Sequence, residues 1–444
     1  MNFVASHYSP LSSRSKIPVL YQPFTFLLTL LPFLVPSRSR QIVILFTFPL
    51  LLTLCLYSPN YTFGDHSSDY YSSGPFLAML LWYFDFVICT PSDGPGAPNF
   101  IDSAATSSQV KDGREDEVQA KSKRLEDCRS TWERLRWAFR LMIPCHRGIG
   151  WNWQVKGVPP DPYAWLPKWE YVGKHLGWAV LVYLRSAVML VGMGFGSQMQ
   201  FERSTSASGN WTWEYMIWDA VIGWSGATWV WDRLCCAYSF AAALSVAIGL
   251  SEVWEWPPLM GDLREAWSVR QMWSSAYHQV LRRMVSQPAI RTTRFLGLRK
   301  GSVASRYTQL YLSFAISCLY HEFEIFSVTR RDMGEFAFFL SQPVAITAED
   351  IVQWIWRKLQ PDQEPSPTSV ACAKMIGYSW VFAWFSWSLP IYLKGLRDAD
   401  IIRDAILGSR PFEAMHDMGL QILYLDRLGM IEGELDTATG QLGE

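Results

Sequence analysis

The stretch that decides the fold is Tyr307-Thr-Gln-Leu-Tyr-Leu-Ser-Phe-Ala-Ile-Ser-Cys-Leu-Tyr-His321-Glu-Phe-Glu-Ile-Phe-Ser-Val328. It is long enough to cross a bilayer as a helix, because a span needs ~20 mostly apolar residues. An imidazole beside carboxylates is costly at that depth, and ionisable groups inside a membrane usually serve a reaction or a transport path. The stretch therefore predicts a membrane-spanning helix with a reaction centre at His321.

The rest of the chain contains enough similar runs to predict an all-α, polytopic membrane protein. Of its 444 residues 50% are hydrophobic and 18% are charged, whereas soluble proteins carry roughly 25% charge. The 23 Trp residues suit membrane–water interfaces. Further apolar runs are 17–36, 41–57, 75–89, 171–195, 213–250, 335–356 and 375–396. We expect about eight transmembrane helices around an internal cavity, or nine if 213–250 crosses twice.

Polar segments divide the chain into four parts. We expect N-terminal membrane helices in 1–90, a disordered cytoplasmic loop in 91–131, a membrane core in 132–398 and a polar tail in 399–444. The loop has little apolar content with which to fold. The sequons at Asn60 and Asn210 are possible glycosylation sites. If both face the lumen and 213–250 crosses once, the Arg-rich loop 251–304 is cytoplasmic, in accord with the positive-inside rule.

Charge and cysteine usage exclude several classes of partner. The formal net charge of −1 gives no reason to expect nucleic acid binding. The eight Cys form no C-x-x-C pair and no H-E-x-x-H occurs, so we expect no metal site. No motif for a permanently bound cofactor is present either.

The polar residues of the deciding stretch share one helical stripe. Ser313, Ser317, His321 and Glu324 fall at positions i, i+4, i+8 and i+11. Lipid would not tolerate them, so they should line the internal cavity, where neutral imidazole can take a proton from a hydroxyl. Two alternatives stay open: a histidine that only packs, and a nucleophilic pair of Cys318 with His321.

Glu322 belongs to the same helix but lies about 100° round it from His321. We count it among the residues of the cavity, while a contact with a neighbouring helix is equally compatible with its position.

A second polar pattern follows Gly261. Asp262 begins a sequence that resembles a capping box, and Arg270, Ser274, His278 and Arg282 then recur at every fourth position. This predicts an amphipathic helix over 261–284. Such a helix can lie in the membrane interface, or its basic face can attract a phosphate-bearing molecule. Upstream, Arg147-Gly-Ile-Gly-Trp-Asn-Trp153 predicts a tight structural turn.

These motifs together resemble the wax-synthase-like branch of the membrane-bound O-acyltransferases, particularly its fungal members. The turn of Arg147 is similar to that family's R-G-x-G-W-x-W segment, and Arg270 to His278 resembles its F-W-x-x-x-W-H block. Ser313 to Phe323 resembles the helix ending in S-x-x-x-H-E. Phe339-Leu-Ser-Gln-Pro343 with Glu349 is similar to its F-x-x-Q-P…E element. Tyr277 departs from the pattern, since the family usually has Trp there.

The resemblance implies transfer of an acyl group from acyl-coenzyme A, acetyl in the fungal relatives, to a hydroxyl of a hydrophobic acceptor such as a terpenoid. It implies that His321 is the base, that His278 is a second active-site residue, and that 132–398 is the acyltransferase core. The donor would bind near Arg270, Trp273, Ser274 and Arg282. We expect a multi-pass protein of the endoplasmic reticulum.

Three other functions remain possible from the sequence. The acceptor could instead be a long-chain alcohol or a sterol. The protein could be a transporter that uses His321 and Arg185 as a relay, or a non-catalytic membrane scaffold.

Overall fold

The computed structural model describes residues 2–101, 122–142, 147–206, 213–359 and 366–407, and these form a bundle of helices. The helices are α1 Asn2–Ala5, α2 Tyr21–Leu34, α3 Ser37–Tyr57, α4 His66–Tyr83, α5 Thr131–Met142, α6 Lys168–Ser206, α7 Trp213–Ala247, α8 Val269–Gln271, α9 Arg282–Phe295, α10 Val303–Thr329, α11 Glu335–Leu359, α12 Pro367–Asp398 and α13 Ile401–Leu407. Strand β1 (Ser15–Lys16) pairs in parallel with β2 (Tyr61–Thr62).

Each of the eight predicted apolar runs forms a helix. Helix α7 is continuous from Trp213 to Ala247, which accords with a single crossing of this segment. Within the part of the chain that the structure describes, three segments are long and apolar enough to cross a membrane by length and composition: Ser37–Asn60, His66–Ile88 and Lys168–Gln200. The helical membrane architecture is therefore supported, while the number of spans stays a prediction.

Helix α3 shows the polarity expected of a helix in lipid. Ile42, Leu45 and Phe46 are exposed on its outer face, whereas Arg40 and Thr47 are buried on its inner face. In lipid the apolar surface points outward and polar groups are satisfied within the bundle. The hydroxyls of Thr47 and Tyr83 lie 2.6 Å apart, so α3 is joined to α4 by a polar contact inside the bundle.

The long helices α6 and α7 pack against each other as a hairpin, and α7 also packs on α12. Arg185 of α6 was predicted to face the protein interior. Its Nε donates to Asp232 of α7 over 2.8 Å, and Asp232 is completely buried. Because breaking such a pair would leave a buried charge without a partner, this contact fixes the two helices relative to each other.

The site lies where helices from different parts of the chain converge. Helix α10 packs against α4, α9 and α11, and α11 packs against α12. Buried apolar side chains of α4, α6, α7, α10, α11 and α12 form one core cluster. This cluster surrounds the half of α10 that contains His321.

The predicted disordered loop is ordered at both of its ends. Strand β3 (Asn99–Ile101) pairs antiparallel with β4 (Ser122–Arg124). Residues 102–121, the middle of the predicted loop, lie outside the described part of the chain. The start of the predicted tail is also folded, because Asp404 of α13 binds His66 at 2.7 Å.

Of the two sequons, only the one at Asn60 lies within the described residues. Asn210 lies outside the described residues. Asn60 is 9% exposed, its Nδ2 donates to the carbonyl of Tyr57 and its Oδ1 accepts from the amide of Ser9. Since a glycan needs an accessible Nδ2, the folded structure argues against modification of Asn60.

The predicted helix over 261–284 is wrong as a single element. Asp262 does cap a helical turn, by accepting from the amide of Arg264, but that turn ends at Glu265. A short helix α8 and a π-helical turn (Met272–Ala276) follow, and Tyr277 is extended. The four polar residues therefore do not share one helical face. The reason is tertiary: a Cβ at Gly261 would lie 2.0 Å from the carbonyl oxygen of Ser275, so the chain folds back on itself.

Candidate active site

His321 is bound to a carboxylate on its own helix. Its Nδ1 lies 2.9 Å from Oε2 of Glu324, one turn further along α10. An ionised carboxylate only accepts hydrogen bonds, so Nδ1 carries the proton and Nε2 of a neutral ring is left as an acceptor. Nε2 has no partner among the residues that the structure describes, and the His321 side chain stays 20% exposed. The ring is thus oriented with a free basic nitrogen.

The carboxylate of Glu324 is surrounded by polar side chains. Its side chain is 8% exposed, and the hydroxyls of Tyr70 and Tyr320 approach its carboxylate. The hydroxyl of Tyr70 also lies 2.7 Å from that of Tyr392. A buried carboxylate needs such donors to offset its desolvation, so Tyr70 and Tyr320 stabilise the partner of His321.

Gly74 of α4 provides the space for this carboxylate. A Cβ at this position would lie 2.1 Å from Oε1 of Glu324 and 2.5 Å from the hydroxyl of Tyr320. Sequence reasoning missed Gly74, Tyr70 and Tyr320, because their contribution depends on the packing of α4 against α10.

Aromatic side chains fix the plane of the imidazole. Phe339 of α11 stacks on His321 with ring centroids 4.5 Å apart and planes 6° from parallel. Tyr392 of α12 approaches the imidazole edge-on at 6.2 Å. The F-x-x-Q-P motif therefore contributes directly to the site, through the ring of Phe339.

The same region of α11 holds the segment of His278 in place. Glu349 accepts from the amides of Val269 and Arg270 and from the indole of Trp380. The amide oxygen of Gln342 accepts from the indole of Trp273 at 3.2 Å. These contacts anchor the segment on α11 at both the start of α8 and the π-helical turn.

His278 is a neutral imidazole. Burial lowers its pKa to about 3, and positive charge on His321 and on Arg147 lowers it further in the same direction. Its Nδ1 is buried and has no hydrogen-bond partner among the described residues. His278 and His321 are therefore close enough to interact electrostatically, and each keeps a ring nitrogen without a hydrogen-bond partner among the described residues.

Several tyrosine side chains lie near the two histidines. Tyr71 is 41% exposed, and its hydroxyl lies close enough to Arg233 on α7 and Glu324 on α10 to interact with their charges. Tyr277 has the same neighbour in Tyr71. We call the region bordered by Tyr71, Tyr277, His278, His321 and Tyr392 the chamber. That it is an open cavity stays a prediction of the sequence.

The residues predicted to bind the donor are spread out. Arg270 is exposed and pairs with Asp350 at 2.5 Å. Nη1 of Arg282 donates to the carbonyls of Lys156 and Ser274, so this nitrogen is used within the protein. Of this group, Trp273 lies nearest to the chamber, with its ring 5.4 Å from that of Tyr277.

The other residues of the predicted stripe have different surroundings. Ser313 and Ser317 are partly buried on α10. Glu322 is buried and lies with Asp332 and Glu335 at the turn after α10, so its nearest polar neighbours belong to the next turn and helix. Cys318 directs its thiol to the carbonyl of Glu335 at 3.7 Å, which leaves no Cys–His pair.

The segment that begins at Arg147 is a turn, as predicted. Gly148 and Gly150 have φ of 66° and 76°, values that favour glycine. Arg147 is fully buried, and its guanidinium donates to the carbonyls of Pro257 and Pro258. The turn therefore ties the connection between α5 and α6 to the residues just before the segment that contains His278.

Comparison with known proteins agrees with this geometry. Residues 256–341, which include both histidines, match the model of the "Membrane bound O-acyl transferase family". The chain is 33% identical over 282 residues to "Acetyltransferase aurG" of Calcarisporium arbuscula, covering 59% of this chain and 65% of that protein. It is 29% identical to "Acetyltransferase eriL" of Hericium erinaceus, over 60% of this chain and 67% of that protein.

One further relative is similar over more of the chain. "O-Mevalon transferase yanI" of Aspergillus niger is 27% identical over 84% of this chain and 86% of its own length. The chain thus spans slightly less than two thirds of the first of these relatives and most of the last.

Proposed function

We propose that the chain, which matches the membrane-bound O-acyltransferase family over residues 256–341 and is similar to named acetyltransferases, moves an acyl group from acyl-coenzyme A to a hydroxyl of a hydrophobic acceptor. The acyl group is acetyl and the acceptor a terpenoid-type secondary metabolite in this proposal. Two similar proteins are named acetyltransferases, which supports acetyl as the transferred group. The core at 132–398 carries the reaction, in a multi-pass protein of the endoplasmic reticulum.

The observation that carries the proposal is the hydrogen bond from Nδ1 of His321 to Glu324. It leaves Nε2 of His321 as the atom that accepts the proton of the acceptor hydroxyl. The hydroxyl oxygen attacks the thioester carbonyl carbon while its proton moves to Nε2, and a C–O bond forms. The C–S bond then breaks, and the imidazolium returns its proton to the departing thiolate. Glu324 stabilises the imidazolium between these two steps.

His278 is suited to the second requirement of the reaction, a donor for the developing oxyanion. A neutral imidazole can donate one hydrogen bond without giving up its proton to the intermediate. The low pKa of His278, about 3, keeps it neutral throughout the physiological range. His321 and His278 then have different tasks because only His321 has a carboxylate partner.

The borders of the chamber support a bulky apolar acceptor. Tyr71, Tyr277 and Tyr392 offer ring faces, on which a polycyclic hydrocarbon can lie, together with hydroxyls that can orient a polar substituent. A transporter that used Arg185 as a relay is less well supported, because that guanidinium is bound to Asp232.

The proposal is tested with microsomes that contain the full-length protein. Acetyl-coenzyme A together with a pool of terpenoid alcohols should release free coenzyme A, and neither substrate alone should do so. Longer acyl-coenzyme A thioesters and a hydroxymethylglutaryl- or mevalonyl-type donor form the comparison panel. Failure to release coenzyme A with any donor and any alcohol of the panel would contradict acyl transfer.

A further inference from the structure

Three carboxylates meet at the turn between α10 and α11. Glu322 lies in α10, about two turns before its end at Thr329, Asp332 lies in the connection, and Glu335 begins α11. One oxygen of each lies within 4.8 Å of the others. We call Glu322, Asp332 and Glu335 the carboxylate triad.

Two members of the carboxylate triad are buried without enough partners. Glu322 is 6% exposed, and its oxygens accept no hydrogen bond from an N–H or hydroxyl group of the described residues; the polar side chain that they approach is the carboxyl of Asp332. Glu335 is fully buried; its Oε2 accepts from the amide of Met333, but Oε1 has no partner. Buried carboxylate oxygens that accept no hydrogen bond are rare, because their desolvation is not offset.

No basic side chain offsets the charge of the triad. Among the described Lys, Arg and His residues, none forms an ion pair with these three carboxylates, and the nearby guanidinium of Arg330 donates to the carbonyls of Phe326 and Pro59 instead. Like charges at this separation repel strongly unless a proton or a cation lies between them. The cluster therefore requires a positively charged partner or neutral carboxyls.

We propose that the carboxylate triad binds a hard divalent cation, with Ca²⁺ as the best match. Oxygen ligands, and carboxylates in particular, are the ligands that Ca²⁺ prefers, at about 2.3–2.6 Å. Two oxygens on one Ca²⁺ can be at most roughly 4.8 Å apart, and the oxygens of the carboxylate triad lie within that limit of one another. Asp332 is exposed, so an ion can enter and keep water ligands on that side.

The cation would join α10 to α11 next to the site. Glu322 directly follows His321, and Glu335 lies one helical turn before Phe339, which stacks on that imidazole. An ion bridging Glu322 and Glu335 would keep the imidazole of His321 stacked on the ring of Phe339. No motif predicts this site, since its ligands follow none of the usual metal-binding spacings.

Calcium binding is measured on the full-length protein, purified in detergent and treated with EDTA. Equilibrium dialysis with radioactive Ca²⁺ should give saturable binding close to one ion per chain. Glu322→Gln and Asp332→Asn should each weaken it by about tenfold or more, as expected on loss of a carboxylate ligand. Glu265→Gln, an exposed carboxylate elsewhere, is the matched control and should bind as the parent does.

Thermal unfolding, followed by Trp fluorescence, gives a second measure that does not depend on activity. Without Ca²⁺, Glu322→Gln should unfold at the same temperature as the parent or higher, because one repelling charge is removed. Ca²⁺ should raise the unfolding temperature of the parent and leave that of Glu322→Gln unchanged. Asp332 is exposed, so Asp332→Asn provides a folded variant if Glu322→Gln does not fold.

Two results would overturn the proposal. One is the absence of saturable Ca²⁺ binding by the parent, with Mn²⁺ as a second probe. The other is binding of equal affinity by the parent and Asp332→Asn. Either result would mean that the carboxylate triad is neutralised by protons. Because binding is measured without substrates, failure here would leave the acyl-transfer proposal intact.

Discussion

Substitution of Glu324 by Gln tests the pairing that activates His321. Gln has nearly the shape of Glu, so it keeps the packing against Gly74 but removes the negative charge. Its amide can also turn its NH₂ group towards Nδ1, which would move the proton of the neutral ring to Nε2. In that tautomer Nε2 cannot accept the proton of the acceptor hydroxyl.

The size of the effect follows from the geometry. Nδ1 and Oε2 are 2.9 Å apart, which puts the two charge centres about 4 Å apart when the imidazole is protonated. At an effective dielectric constant of about 20, that attraction is worth about 4 kcal/mol. Part of it is recovered by the amide dipole, so we expect a loss of about 3 kcal/mol, or roughly a hundredfold in kcat.

The assay is release of coenzyme A by microsomes that contain equal amounts of each variant. Since Glu324 acts through the base, kcat should fall while KM for the donor stays within about twofold. Glu265→Gln is the control and should match the parent. If Glu324→Gln kept kcat within about threefold of the parent, the role assigned to the Glu324–His321 pair would be refuted.

Three further predictions follow from the same structure. Gly74→Ala would put a Cβ 2.1 Å from Oε1 of Glu324; it should lower kcat at least tenfold and cost about 1–3 kcal/mol of stability. The control is Gly173→Ala, at a helical position with no atom within 4 Å of the added Cβ; it should keep the parental rate of coenzyme A release and the parental unfolding temperature. If Gly74→Ala and Gly173→Ala behaved alike, the role assigned to Gly74 would be contradicted. Burial lowers the pKa of His278 from 6.5 to about 3, so below pH 6.5 the unfolded chain binds a proton that the folded protein excludes. Stability should then fall by about 1.4 kcal/mol per pH unit from pH 6.5 towards pH 3, and unfolding temperatures of His278→Gln should lack that slope; an unchanged slope would argue against a buried neutral imidazole. Arg147→Met would leave the carbonyl of Pro258 without its donor and that of Pro257 with only the hydroxyl of Tyr238. It should lower the yield of folded protein in size-exclusion chromatography, whereas a parental yield would show that the hydrogen bonds of Arg147 are dispensable for folding.

The sequence predicted the helices well because each depends on a local property, the length of an apolar run. Helix α10 covers the whole of the deciding stretch, and α7 is one helix despite the Asp and Arg residues within it. His321 and Glu324 were predicted to share a stripe, and their contact follows directly from the i, i+3 spacing on one helix.

The segment 261–284 was mispredicted because its conformation is set from elsewhere in the chain. Glu349, 79 and 80 residues away, accepts from the amides at the start of α8, and the close approach at Gly261 bends the chain. A periodic pattern of polar residues carries no information about either contact. For the same reason the sequence could not indicate that Gly74 makes room for Glu324, or that Glu322 and Glu335 meet across a turn.

The central claim, that His321 is the base of an acyl transfer, is tested most directly by the rate of coenzyme A release from His321→Ala microsomes. General-base catalysis typically contributes about 10²–10⁴ in rate, so the account predicts that kcat falls by at least a hundredfold. His7→Ala, at an exposed histidine, should keep the parental rate at equal protein abundance. Turnover of His321→Ala at the parental rate would contradict the account.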